Sequence, residues 1–422
     1  MYKRSVLKNK LRLITVPNNG TKAATVLVLL PVGSRYETKN INGLSHFVEH
    51  TMFKGTKKRP TSLDITKELD GIGAEFNAFT SKDFTGYYIK SSAEKLELSF
   101  DILSDMLTGS VIDKTELEKE RGVIVEEINM YEDNPLMYVE SLFEELVFGN
   151  VPLGRQIAGP RSVIKSVSRE KMLKYIHEHY HPANMVVVVS GKVDDAKVKK
   201  LTQKYFGKDG KKRFKKFVPF KDYQKKPQVI VKYRETEQVQ MCLGFPGLSH
   251  FDKDLAPLQL LSLILGGNMS SRLFVNIREK HGLCYYIKAG IELYHDAGTL
   301  FVQAGLDKSR IEQAIELILL ELSAIKQEGV TEKELQDAKD FLKGKVAISL
   351  EDSETMADWY GKQELFNKKL ITPEDKLKNY INKVTQDDVQ KVAKRIIQTK
   401  RLNLALIGPF KEKKKFEKLL KV

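Results

Sequence analysis

Two cysteines in 422 residues, Cys242 and Cys284, are too few for a disulfide framework. They fit a reducing compartment and read as small buried apolar side chains. Long hydrophobic runs are missing as well. The longest, Ala23 to Val32, is about half of what a membrane-spanning helix needs. The opening residues, M-Y-K-R-S-V-L-K-N-K-L-R, break every apolar stretch with charge and lack the core of a secretory signal. A cytoplasmic chain without a membrane partner is the expectation. Aromatics do not interleave with arginines, so the net charge of +15 does not describe a nucleic-acid platform. The basic residues are mostly Lys set among Glu, as in K-E-K-K-K-F-E-K at Lys411–Lys418, which is a solvated surface.

What is present is an apolar fraction of 41% beside 30% charged residues, the balance of a globular protein. The length suits two domains of roughly 200 residues. An internal repeat supports that division. Strand-like Val26–Leu30 ends at Pro31, and strand-like Gln240–Phe245 ends at Pro246, 215 positions later. Lys95-Leu96-Glu97 opens an amphipathic helix whose counterpart opens at Arg310-Ile311-Glu312, again 215 positions later. The helix start at Asp113–Leu117 matches Thr331–Leu335, and the apolar strand Met185–Ser190 matches Leu402–Ile407. The chain therefore reads as a tandem repeat of one α/β (α+β) unit. Each copy is expected to be a mixed sheet covered by helices on one face.

The expected domains are 1–206 and 227–422. Between them, ten basic side chains counted from Lys204 to Lys226 face only Asp209 and Asp222. Like-charge repulsion favours an extended, solvated linker over 207–226.

Chemistry concentrates in H-F-V-E-H at His46–His50. On a helix, residues i and i+4 share a face, so His46 and His50 can present two imidazoles to one ion, a zinc arrangement. Glu49 borders the same face and can reach a water beside the metal without binding the metal. This is the HxxEH order, the reverse of HExxH. The repeat provides a control. The equivalent positions of the second copy are Leu261, Ile264 and Leu265, so the first copy places ionisable groups where its twin buries aliphatics. Burying such groups without a partner is unfavourable, and a cation removes the penalty. A third ligand is expected from the helix around Thr115–Tyr131. There Glu120 and Glu127, seven residues apart, face nearly one way, with Val123 and Ile124 marking the inward side. Glu127 as ligand and Glu120 as its neighbour's support is the simplest assignment, and Glu126 is the alternative. Their counterparts in the second copy are Lys345 and Ala338. A rival cluster, His177, His179 and His181, precedes Pro182 and reads as the exposed end of a helix. His250, His281 and His295 are isolated.

H-F-V-E-H-T-M-F-K-G-T together with E-R-G-V-I-V-E-E-I-N-M-Y-E-D-N-P closely resembles the pitrilysin/insulinase family of zinc peptidases, in particular its small two-domain class. F-N-A-F-T at Phe76–Thr80, Y-H-P-A-N-M at Tyr180–Met185 and G-G-N-M-S-S-R-L-F at Gly266–Phe274 extend the resemblance along the chain. It implies one zinc per chain, a third ligand seventy-seven residues after His50, at Glu127, and Glu49 as general base. It implies an extended or unfolded peptide substrate held as an added strand along Asn77, Ala78 and Thr80. It also implies an Arg and a Tyr facing the zinc, here Arg278 and Tyr285, with Tyr286 as a neighbouring alternative. In the two-domain class this arrangement implies a homodimer enclosing a clam-shell chamber, each site completed by the partner. A non-catalytic scaffold subunit is the competing expectation, and such relatives lack the ligands that this chain keeps.

Overall fold

Val26–Leu30 and Val186–Val189 are apolar at every position, and a strand of that kind needs cover on both of its faces. In a computed structural model, which describes residues 2–208, 216–366 and 369–422, both lie inside one mixed sheet. Its strands are β1 (Lys3–Val6), β2 (Arg12–Pro17), β3 (Ala23–Leu30), β4 (Glu75–Thr80), β5 (Thr85–Ser92) and β6 (Val186–Gly191). They run in the order β1-β2-β6-β3-β5-β4. β2 and β6 are parallel and all other pairs are antiparallel. Among the described residues β4 is therefore an edge strand.

A second sheet contains β7 (Gln228–Tyr233), β8 (Gln238–Pro246), β9 (Cys284–Leu293), β10 (Gly298–Asp307) and β11 (Asn403–Gly408). Its order, β7-β11-β8-β10-β9, reproduces β2-β6-β3-β5-β4, so the repeat read from residue offsets is a repeat of topology. The first repeat carries helices α1 (Leu44–Thr51), α2 (Ser62–Asp70), α3 (Leu96–Gly109), α4 (Lys114–Asp133), α5 (Pro135–Phe148), α6 (Arg161–Ser166), α7 (Arg169–His179) and α8 (Asp195–Phe206). The second opens with α9 (Leu255–Gly266), α10 (Ile311–Glu328), α11 (Glu332–Ser349) and α12 (Ser353–Phe366).

Each sheet is covered on both faces, where one was expected. In the first unit, Val26, Val28, Val187 and Val189 meet Phe47, Phe100, Ile124 and Val198 from the helices of their own repeat. The opposite face, Leu27, Leu29, Val186 and Val188, is covered by Ala357 and Tyr360 of α12. A Cβ on Gly361 would lie 2.6 Å from a Leu29 methyl, so glycine permits the close approach of that helix. In the second unit, Cys242, Ala405 and Ile407 are covered in the same way by Val139, Leu142 and Phe143 of α5.

The units are consequently discontinuous. The first comprises 1–128, 155–218 and 345–371, the second 129–154, 219–344 and 372–422. Relative to the expected spans 1–206 and 227–422, each unit gives up one helical segment and takes the other's. The centre of the expected linker, 209–215, lies outside the described residues. Its ends are anchored. Phe217 stacks under the Arg35 guanidinium at 3.8 Å in the first unit, and Arg401 pairs with Asp222 at 2.7 Å in the second. No helix among the described residues is long and apolar enough to cross a membrane. Both cysteines are free; Cys242 is buried and Cys284 half-buried.

Candidate metal centre

α1 is short, and its first turn begins at Gly43 with φ +98° and no side-chain cap from Gly43 itself. Leu44, Phe47 and Val48 anchor it in the core. That anchoring turns His46, Glu49 and His50 toward α4, which crosses with Leu117, Glu120, Ile124 and Ile128 as its buried line. Val123, expected on the inward side, is 51% exposed, because the stripe runs at three- and four-residue spacing through Ile124 and leaves Val123 a turn-step away. Glu126 is exposed.

His46, His50 and Glu127 are the one trio among the described residues whose ligand atoms lie within 4.8 Å of one another. The two Nε2 atoms are 3.2 Å apart. Glu127 Oε2 is 3.5 Å from His46 Nε2 and 3.4 Å from His50 Nε2. A tetrahedral zinc ion with ligands at about 2.0–2.1 Å sets those ligands about 3.3–3.4 Å apart, so the three separations match three edges of its coordination shell. Glu127 Oε2 is buried without a hydrogen-bond partner, as is His46 Nδ1. A buried carboxylate oxygen left in that state is disfavoured, and a cation among these atoms satisfies it. The residues fit zinc.

Electrostatics agree. Burial, with the neighbouring His50, pulls the His46 imidazole down to about 4 against the attraction of Glu127. Burial also opposes charge on His50, but the hydrogen bond to Glu120 and the nearby carboxylates of Glu127 and Glu49 outweigh it and push His50 up to about 9. Burial resists ionisation of Glu127 and Glu120 too, yet the histidines, and Lys54 for Glu120, hold both carboxyls below their usual range.

Glu120 is buried and accepts from His50 Nδ1 at 2.9 Å, which leaves Nε2 facing the trio. Its other oxygen receives Lys54 at 2.6 Å. Lys54 was not picked out from the sequence; it lies beyond the end of α1 at Thr51, where helical spacing gives no signal.

Glu49 points beside the trio. Burial raises its carboxyl above the usual range, and the Thr80 hydroxyl, donating to Glu49 Oε2, opposes that rise. Thr80 ends the edge strand β4. On the same strand Asn77 is exposed and its Oδ1 accepts the Ala78 amide at 2.9 Å.

Arg278 and Tyr285 belong to the second unit. Arg278 lies in a π-helical turn over the Phe274 ring, 4.6 Å away, with Glu279 at 3.8 Å. Tyr285 is 73% exposed. Tyr286 instead donates its hydroxyl to Gln240 at 2.7 Å, and burial raises its phenol. Of the rival histidines, His179 is buried against Tyr175 with ring centres 4.5 Å apart. The expectation of an exposed trio fails there because the last turn of α7 packs inward.

The family model described as "Insulinase (Peptidase family M16)" matches residues 12–161, which include His46, Glu49, His50, Glu120 and Glu127. The model described as "Peptidase M16 inactive domain" matches 166–342, where the equivalents of the histidines are Leu261 and Leu265. The uncharacterized zinc protease YmxG of Bacillus subtilis is 36% identical over 97% of this chain and 98% of its own length. The uncharacterized zinc protease SCO5738 of Streptomyces coelicolor is 35% identical over 97% of this chain and 90% of its own. A protease from Helicobacter pylori shares the fold with a TM-score of 0.91 at 24% identity, covering 97% of this chain and 99% of that one.

Proposed function

We propose that this chain, which belongs to the insulinase family of peptidases (peptidase family M16), is a zinc-dependent endopeptidase acting on extended or unfolded peptides. The observation that carries this reading is the match between the His46, His50 and Glu127 separations and the edges of a zinc coordination shell. One zinc per chain would be held by these three residues, with Glu120 orienting His50. Zinc bound there supplies Lewis acidity toward a peptide carbonyl and makes water a nucleophile near neutral pH.

The chain's own groups do the rest. The peptide pairs as an added strand on the edge strand β4, along Asn77, Ala78 and Thr80. Glu49 uses Oε1, the oxygen that Thr80 leaves unbonded, to take a proton from the attacking water and pass it to the leaving amine. Arg278 and the exposed Tyr285 donate hydrogen bonds to the carbonyl oxygen as charge develops on it. In this reading two copies of the chain form a cytoplasmic homodimer that encloses the substrate, each partner supplying its Arg278 and Tyr285 to the other's zinc site. Nucleic acid and membrane are not partners.

The competing reading, a non-catalytic scaffold subunit, is disfavoured by the retention of all three ligand-type residues in one cluster, with Glu49 beside His50 on α1. Hydrolysis of an internally quenched unfolded peptide separates the two. The protease reading expects turnover that a chelator abolishes and stoichiometric zinc restores. A zinc-loaded protein that cleaves none of a diverse peptide set supports the scaffold.

A further inference from the structure

Glu37 is a carboxylate in the interior of the first unit, 2% exposed, with no part in the trio or in proton transfer. Both of its oxygens are committed to the start of α1. Oε1 accepts the Ser45 amide and the Ser45 hydroxyl, each at 2.6 Å. Oε2 accepts the Gly43 amide at 2.7 Å and the Asn42 side-chain amide at 3.1 Å. The Ser45 hydroxyl continues to Tyr175 at 2.6 Å, and Arg155 donates to the Glu37 main-chain carbonyl at 3.3 Å.

The first amides of a helix have no partner within it and are usually satisfied by the residue at the cap. Here that residue is Gly43, which has no side chain to offer. It cannot be exchanged for one that does. A Cβ on Gly43 would stand 2.4 Å from the Ala158 carbonyl oxygen, and its φ of +98° disfavours other residues. The cap is therefore supplied from six residues upstream, by the two carboxyl oxygens of Glu37. Ser45, the residue that Glu37 grips twice, immediately precedes His46.

We infer that Glu37 is a positioning residue for the metal centre, a remote cap that sets the first turn of α1 and with it the direction of the His46 ring. The inference rests on the assignment of His46 and His50 as zinc ligands. It explains how an eight-residue helix holds two ligands and a base in register without a cap of its own. Because His46 Nδ1 has no hydrogen-bond partner, its ring is not steered from outside as the His50 ring is by Glu120. Its orientation depends on the backbone that Glu37 fixes. The weaker the outer support of a ligand, the more its affinity depends on the backbone that carries it.

The test is zinc affinity of the folded full-length protein, measured by competition with a chromophoric chelator, together with the visible spectrum of the Co2+-substituted protein. Glu37→Gln keeps the shape but turns an amide donor toward donors. It should weaken zinc binding about tenfold and alter the cobalt bands. Glu364→Ala serves as the comparison. That carboxylate, on α12 and away from α1, is buried against Arg4 at 2.7 Å, so the variant destabilises the same unit and should leave zinc affinity unchanged. If Glu37→Gln does not fold, Ser45→Ala decides, with at least about a threefold weakening expected from loss of the hydroxyl's bonds to Glu37 and Tyr175. Folded Glu37→Gln with wild-type affinity and spectrum overturns the inference. So does unchanged affinity in Ser45→Ala, or a Glu364→Ala variant that weakens zinc as much as Glu37→Gln. Wild-type protein that binds no zinc overturns the proposed function itself, which separates the two failures.

Discussion

Thr80, the last residue of the edge strand, donates its hydroxyl to Oε2 of Glu49 on the helix that carries both histidines. One hydrogen bond therefore joins the strand assigned to substrate with the carboxylate assigned to proton transfer. It also gives the two oxygens of Glu49 different environments, one engaged and one available.

Thr80→Val keeps the side-chain shape and removes that donor. A hydrogen bond to a charged group contributes roughly 1.5–3 kcal/mol, so kcat/KM should fall at least about tenfold while zinc content stays at wild-type level. Peptidase assays beside metal analysis check this, and an unchanged kcat/KM would detach Thr80 from Glu49's function.

Glu49→Gln should keep the fold and the metal, since Glu49 is not a ligand, and lose hydrolysis by about 10²–10⁴-fold, the usual contribution of a positioned general base. Single-turnover assays on zinc-loaded variant protein measure it. Near-normal turnover would require another base.

Mixing two inactive variants, Glu49→Gln and Tyr285→Phe, tests completion of the site by a partner. Random subunit exchange makes about half of the dimers mixed, and in each of these one site keeps both groups, so roughly a quarter of wild-type activity should return. Mass analysis verifies exchange. Confirmed exchange without activity would place Tyr285 and Glu49 in the same chain's site.

Burial pushes the Glu37 carboxyl up to about 7 from an ordinary 4.5, against the lowering effect of Ser45, Asn42 and the Gly43 amide. The groups facing it from other elements are the Tyr175 hydroxyl, through Ser45, and Arg155, through the main chain. A raised folded-state value means that the stabilising contribution is complete below 4.5 and is lost as pH rises through 7. Metal-free wild-type protein should therefore lose on the order of 2 kcal/mol between pH 5 and pH 8 relative to Glu37→Gln, which cannot titrate. Urea unfolding of both proteins at the two pH values reads this difference. A gap that stays constant or widens would contradict a buried, titrating Glu37.

Much of this was legible before the structure because it rests on periodicity. His46 and His50 must share a helical face at four-residue spacing, and strands 215 positions apart imply one topology twice. What was not legible depends on which surfaces meet. The apolar faces of α5 and α12 each predict burial but not the sheet that provides it, and each covers the sheet assembled mainly from the other repeat. His179 looked exposed because a helix end before Pro182 usually is, whereas contact with Tyr175 turns it inward. Glu37 carried no local signal at all. A carboxylate six residues ahead of a glycine becomes a cap only when the intervening turn folds back.

The central claim is that His46, His50 and Glu127 form one zinc site, and the direct measurement is zinc per chain in purified wild-type, Glu127→Gln and Glu126→Gln proteins by elemental mass spectrometry. The account predicts one zinc in wild type, strong loss in Glu127→Gln, and full retention in Glu126→Gln, whose carboxylate is exposed outside the trio. Full zinc in Glu127→Gln with loss in Glu126→Gln, or no zinc in the wild type, would contradict it.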